Sequence, residues 1–354
     1  MKKRKTNIEL LRIVSMLLII AHHFAIYSPF HFVQTDLSYN RFWILLLTMG
    51  GKIGVNLFIL ISGYFLVNTS KINKIRVLTF WLNIFSYGMI ILLVYQVFYS
   101  VEFSSLIKTL LPISFRLWWF VSAYFLLMLA IPFINIMLEG LTNKEHLGLI
   151  LLGGFLWSIL ATLTTKDLES NDFLWFVYLY IIAAYIRNND LLIISYLSRI
   201  KKLFLPVLMI TYGMGVLLMI IGVKIKYFSE HTSYLYRENS PFILVLSIFI
   251  FILFINFDVK YNKFINWLAS LTFPVYLIHE HFLIRSFIWI DLLKAETYQH
   301  GIWLIPYSIL CIIGVYIICT LLGQIMYLLI TRHLNKLSSA ILTIIPFKNL
   351  LPKE

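Results

Sequence analysis

The sequence predicts an all-α, polytopic transmembrane helix bundle, and three observations carry that expectation. Hydrophobic residues fill 60% of 354 positions and charged residues only 13%, too little polar surface to coat a water-soluble domain of this length. Mean hydropathy is +0.87, and apolar runs long enough to cross a bilayer recur from end to end. Basic residues outnumber acidic ones, 29 to 16, and gather in alternate connections rather than in one patch.

About ten spans follow, near residues 8–27, 50–67, 77–99, 117–138, 147–163, 173–187, 203–222, 241–257, 264–283 and 302–330. The first follows Lys2-Lys3-Arg4-Lys5, a start that a signal peptide also shows. Its apolar run holds Arg12 and His22-His23 and lacks a small-x-small site after Ala21, so it is expected to be retained. The second enters through Gly50-Gly51-Lys52 and carries Asn56 and Ser62-Gly63, small and amide residues that let helices approach and hydrogen-bond. The third follows Lys71, Lys74 and Arg76, and the fourth opens with Arg116-Leu117-Trp118-Trp119-Phe120, with Tyr124 and Pro132 further in. The next four are plain apolar stretches between polar connections. The ninth ends in His279-Glu280-His281, and the tenth carries Cys311 and Cys319. These cysteines stand about 80° apart on one helix, forming neither a disulfide framework nor a metal set. One integral domain over 1–354 is expected, with 331–354 as a short cytoplasmic tail.

Orientation follows from the cations. With a cytoplasmic start, eighteen Lys and Arg fall in inner connections and ten in outer ones, as the positive-inside rule requires. Both termini are then cytoplasmic, and the positive charge reports topology and attraction to anionic lipid. No nucleic-acid partner is needed to explain it.

Ionisable residues inside a span are costly and mark sites. At about 100° per residue, the eleven steps from Arg12 to His23 bring them to within about 20° of one face, about 16 Å apart along the axis. Met16 and Ile19 lie on the same stripe. The bland alternative is an Arg12 that snorkels to the headgroups and a His23 at the far interface. His279 and His23 each stand fifteen residues above the inner start of their spans, so two histidines on different helices share one depth. An imidazole takes a hydroxyl proton near neutral pH, and a carboxylate such as Glu280 or a second imidazole orients it. That is the chemistry of acyl transfer, with His23, His279 and Glu280 as the catalytic set. For His281 an interfacial, water-facing position is the expectation, and for His22 a structural one.

Asn56, near the level of His23, is a candidate for holding a substrate hydroxyl; packing is the alternative. Trp118 and Trp119 form an interface belt or a platform for sugar rings, and Arg116 precedes them. Lys71, Lys74 and Arg76 share the depth of Arg12, and together they can hold phosphates of an anionic cofactor. The positive-inside rule alone also accounts for them. No metal set is expected, and no internal repeat or Gly-rich phosphate loop stands out.

With these residues in place, the chain resembles the acyltransferase 3 family of membrane O-acyltransferases over most of its length. Arg12 and His23 fit the family's Arg, ten residues, His pattern. The segment Gly54-Val55-Asn56-Leu57-Phe58-Ile59-Leu60-Ile61-Ser62-Gly63 fits its Gly-Val-Asp-Leu-Phe-x-x-x-Ser-Gly pattern. Leu117-Trp118-Trp119 with Tyr124 and Pro132, and Tyr276-Leu277-Ile278-His279, resemble two further family segments.

The resemblance implies a ten-span bundle that takes an acyl group, usually acetyl, from cytoplasmic acetyl-CoA. It then places that group on a hydroxyl of a cell-surface glycan or lipid-linked saccharide at the outer face. It makes His23 catalytic and Arg12 a support on the donor side, in a bacterial cytoplasmic membrane among polysaccharide-assembly proteins, with capsule or exopolysaccharide as acceptor. Three positions depart from the pattern: Asn56 replaces an aspartate, Lys71 and Lys74 with Arg76 replace an Arg-x-x-Arg pair, and Arg116 stands where histidine is common. Some relatives add a C-terminal esterase-like domain, and none is expected here. The rival expectation is a glycan or lipid-intermediate transporter whose Arg12 and His23 line a pathway; a sensor without turnover is a third.

Overall fold

The computed structural model describes residues 5–166 and 171–344, and among the described residues every regular element is helical. Lys2, Lys3, Arg4 and the tail from 345 onward lie outside the described residues. The main helices are α1 (Thr6–Tyr27), α2 (Tyr39–Leu66), α3 (Lys74–Phe98), the short α4 (Phe103–Leu110) and α5 (Trp119–Glu139). Then come α6 (Asn143–Thr164), α7 (Asp172–Asn188) and α8 (Asp190–Gly222). The chain closes with α9 (Pro241–Ile255), α10 (Lys263–Ser270), α11 (Thr272–His279), α12 (Phe282–Ser286), α13 (Leu304–Met326) and α14 (Arg332–Ile344). Among the described residues, eight helices are long and apolar enough to cross a membrane, so the chain is a multi-pass membrane protein. The other two expected spans are α7, one residue short of that length, and the broken pair α10 and α11.

Lipid and protein neighbours sort these helices. In α2, 72% of the most apolar window is buried, against 17% in α6 and α8, so α2 is central and the other two face outward. Glycine sets how closely α2 is packed. A Cβ at Gly54 would stand 2.5 Å from the Ser15 carbonyl, one at Gly51 2.4 Å from His22, and one at Gly63 2.7 Å from Ala183 of α7. The Ser15, Leu18 and His22 side of α1 therefore seats on the glycine row. That contact leaves the neighbouring Arg12, Met16, Ile19 and His23 stripe to face the bundle interior.

Two boundary differences from the expectation bear on the site; elsewhere α8 begins at Asp190, thirteen residues before the predicted start at 203. Helix α2 begins at Tyr39, eleven residues before the predicted start, because polar residues there are buried with partners that hydropathy does not see. Asn40 donates to the Gln299 and Gly301 carbonyls at 2.8 and 2.9 Å. Arg41 donates to the carbonyls of Val33, Gln34 and Asp36. The ninth span is interrupted at Leu271 and stops at His279 instead of running to 283. Pro274 has no amide hydrogen for the carbonyl four residues back, which explains the first break. Pro274 also fills the space that a side chain at Gly323 of α13 would need, 2.6 Å away.

Candidate active site

Helix α1 joins two sites at opposite ends of the bundle. At the basic end, where the α2–α3 connection and α14 lie, Arg12 lines a cavity of about 850 Å³. Its mouth is cationic, with Lys5, Arg12, Arg76 and Arg187, and its depth is apolar, with Met16, Ile19, Phe58, Phe120, Tyr124 and Tyr276. Arg12 is half-buried, 3.8 Å from Glu9 one turn below. Arg187 donates to the Tyr64 hydroxyl at 3.2 Å and lies 5.0 Å from that ring, which fixes its direction. Of the predicted phosphate cluster, Arg12 and Arg76 line the cavity, whereas Lys71 and Lys74 are not among its lining residues.

The cavity that Arg12 lines ends one helical turn short of His23. Ile19 borders the cavity; His23, four residues on, is only 6% exposed. Aromatic rings roof the space beside it, with Phe120 5.6 Å from Tyr276 and 6.2 Å from Phe58.

Beyond that roof the structure brings His23, His279 and Glu280 together. His23 Nδ1 lies 3.0 Å from His279 Nε2 and 3.2 Å from Glu280 Oε2. The second break in the ninth span makes this possible: α11 ends at His279, and Glu280 follows on a non-helical turn, so consecutive residues both reach α1. Partner chemistry fixes the protons of this chain. His279 Nδ1 is 2.6 Å from the Val275 carbonyl, which only accepts, so this nitrogen carries the hydrogen and Nε2 carries a lone pair. With both rings neutral, His23 Nδ1–H then donates to His279 Nε2, with Glu280 Oε2 lying 3.2 Å away as a neighbouring charge, which leaves the lone pair of His23 on Nε2. That nitrogen can take a proton, and Glu280 can balance the charge that results.

Two partners of Glu280 escaped the sequence reading. The Tyr27 hydroxyl donates to Glu280 Oε1 at 2.9 Å, and Arg285 donates to the same oxygen at 3.1 Å. Tyr27 was legible in principle, since it stands four residues after His23 on the same helix face. Arg285 was not, because it is carried there by the turn after α11. The donor atoms of His23, His279 and Glu280 all lie within 4.8 Å of one another, a group that could hold a metal ion. Two nitrogens bound at about 2.0–2.1 Å in a tetrahedron would stand about 3.3 Å apart. The 3.0 Å His23–His279 contact is closer and matches a direct hydrogen bond.

The remaining predicted residues lie elsewhere. Asn56 is fully buried, donating to the Glu238 carbonyl at 2.9 Å and accepting from Trp175 Nε1 at 3.1 Å; it braces α2 against its neighbours instead of meeting a substrate hydroxyl. Trp118 is buried edge-on against His281, with ring centroids 5.2 Å apart, and so leaves the predicted belt. His281 itself is buried rather than water-facing, and its Nδ1 accepts from the Leu283 amide at the start of α12. Trp119 stays half-buried with the Lys52 ammonium 5.8 Å above its ring, and Lys52 pairs with Glu238 at 2.8 Å. Exposed Arg116, at a left-handed φ of 49°, pairs with Asp172 at the start of α7. His22 donates to the Thr48 carbonyl at 2.6 Å.

A family model described as an acyltransferase domain matches residues 5–344. No curated protein and no solved structure matches the chain.

Proposed function

Because the chain belongs to the acyltransferase 3 family, we propose that this membrane acyltransferase is an O-acetyltransferase that moves acetyl from cytoplasmic acetyl-CoA to a hydroxyl of a surface glycan. One observation carries the reading: a single helix presents Arg12 to a cation-rimmed cavity at one end and an imidazole held by His279 and Glu280 at the other. Phosphates of CoA suit Arg12, Arg76 and Arg187 on the cavity wall, whereas Lys71 and Lys74 lie outside that lining. The pantetheine arm suits the apolar depth. About 16 Å of helix separates Arg12 from His23, a length that an extended arm covers once the aromatic roof parts.

His23 Nε2 takes the acceptor hydroxyl's proton as its oxygen attacks the thioester carbonyl. The C–S bond breaks, an ester forms, and the CoA thiolate leaves with the proton returned by His23. His279 and Glu280 orient His23 and stabilise its charged form. Trp119, with Lys52 above it, and Arg116 stand on the acceptor side. The sequence charge pattern supports a bacterial cytoplasmic membrane with both termini inside. The acceptor then comes from the outer side, as capsule, exopolysaccharide or a lipid-linked saccharide, beside polysaccharide-assembly proteins.

NMR of surface glycan from cells with the protein, without it and with His23→Ala tests this. Loss of an acetyl ester signal in the last two is expected; an unchanged signal with His23→Ala overturns the catalytic role. A glycan transporter needs no thioester, so acetyl-CoA turnover by the purified protein separates that rival.

A further inference from the structure

We propose that Arg285, closed on Tyr27, is a positioning residue that keeps Glu280 ionised and turned toward His23. The inference rests on His23 acting as the base. Glu280 has a side chain only 4% exposed, and a carboxylate taken out of water persists only with charged or hydrogen-bonding partners. Its two oxygens are divided between two tasks. Oε2 faces His23 Nδ1 at 3.2 Å, while Oε1 receives the Tyr27 hydroxyl at 2.9 Å and Arg285 at 3.1 Å. The same guanidinium nitrogen donates to the Tyr27 oxygen at 3.1 Å, and the guanidinium carbon lies 4.5 Å from the Tyr27 ring. Three groups thus close a ring of hydrogen bonds around one oxygen and leave the other for the imidazole.

The local fold is built to deliver Arg285. After α11 ends at His279, His281 accepts the Leu283 amide and starts the five-residue α12, which returns Arg285 over Glu280. Without the guanidinium, a buried carboxyl gains stability by holding its own proton, and Oε2 then no longer sets a negative charge beside His23. The base would lose the charge that balances its protonated form.

The test uses the purified full chain in proteoliposomes, with radiolabelled acetyl-CoA and glycan extracted from cells lacking the protein. For Arg285→Met, kcat falls about 10- to 100-fold, within what a positioned base contributes, while KM for acetyl-CoA stays at the wild-type value. Arg285→Lys restores part of kcat, because a cation returns without the planar fork. Wild-type kcat in Arg285→Met, or equal loss in the Met and Lys variants with a raised KM, overturns the proposal. Should Arg285→Met not survive extraction, Tyr27→Phe decides: it removes one donor to Oε1 and lowers kcat about 3-fold at unchanged KM, and a wild-type kcat there overturns the proposal. Transfer by His23→Ala would instead defeat the reading of function itself.

Discussion

The two ends of α1 contrast in how their polar atoms are satisfied. Around His23, the ring nitrogen donates to His279, Glu280 Oε2 lies beside it, and Glu280 Oε1 accepts from Tyr27 and Arg285. Around Arg12, the cations stand on the walls of an open cavity. A closed set of hydrogen bonds preorganises a proton acceptor before substrate arrives. A cation-lined opening suits an anionic ligand. On the proposed reading, the difference teaches that catalysis and donor capture are separable, so variants at the two ends should fail in different kinetic constants.

The sharpest break is His23→Ala, which removes the proposed proton acceptor. Acetyl transfer should fall at least about 100-fold, whereas equilibrium binding of acetyl-CoA stays near wild type; weakened binding would mean that the two ends are not separable. Next comes Asn56→Ala. It leaves Trp175 Nε1 and the Glu238 carbonyl without partners in a buried place, at a cost of about 2 kcal/mol. Thermal unfolding in detergent should shift down while KM for the glycan acceptor holds, and a selective rise in that KM would restore the substrate-binding reading.

A smaller effect separates the cavity cations. Arg12→Ala should raise KM for acetyl-CoA about 10-fold, the value of one charge-assisted phosphate contact, with kcat nearly unchanged. Arg187→Ala should act in the same direction. The smallest effect belongs to Lys71→Ala, since an exposed cation away from the lining contributes little. Its KM should stay within about 2-fold of wild type, and a change as large as that of Arg12→Ala would move the phosphate site outward to the α2–α3 connection.

How much was legible varied with the kind of signal. The Arg12–His23 stripe, the shared depth of His23 and His279, and the small residues of α2 are periodic features of single helices, and helix geometry transmits them directly. The start of α2 was misplaced because the burial of Asn40 and Arg41 depends on carbonyls from distant loops. Trp118, Asn56 and His281 were read toward substrate or water, yet each meets a neighbouring element that hydropathy cannot identify.

By itself, the sequence determined a helical membrane bundle, the family, and the placement of a cation and an imidazole on one face of the first helix. Those properties follow from apolar run length, motif spacing and the 3.6-residue turn, all local along the chain. Only the tertiary structure decided that Glu280 and Arg285 close on His23, that Arg187 joins the cavity wall, and that aromatic rings roof it. Each of those depends on where a helix breaks or which helices become neighbours, and the energy that fixes such choices comes from contacts between residues far apart in the chain.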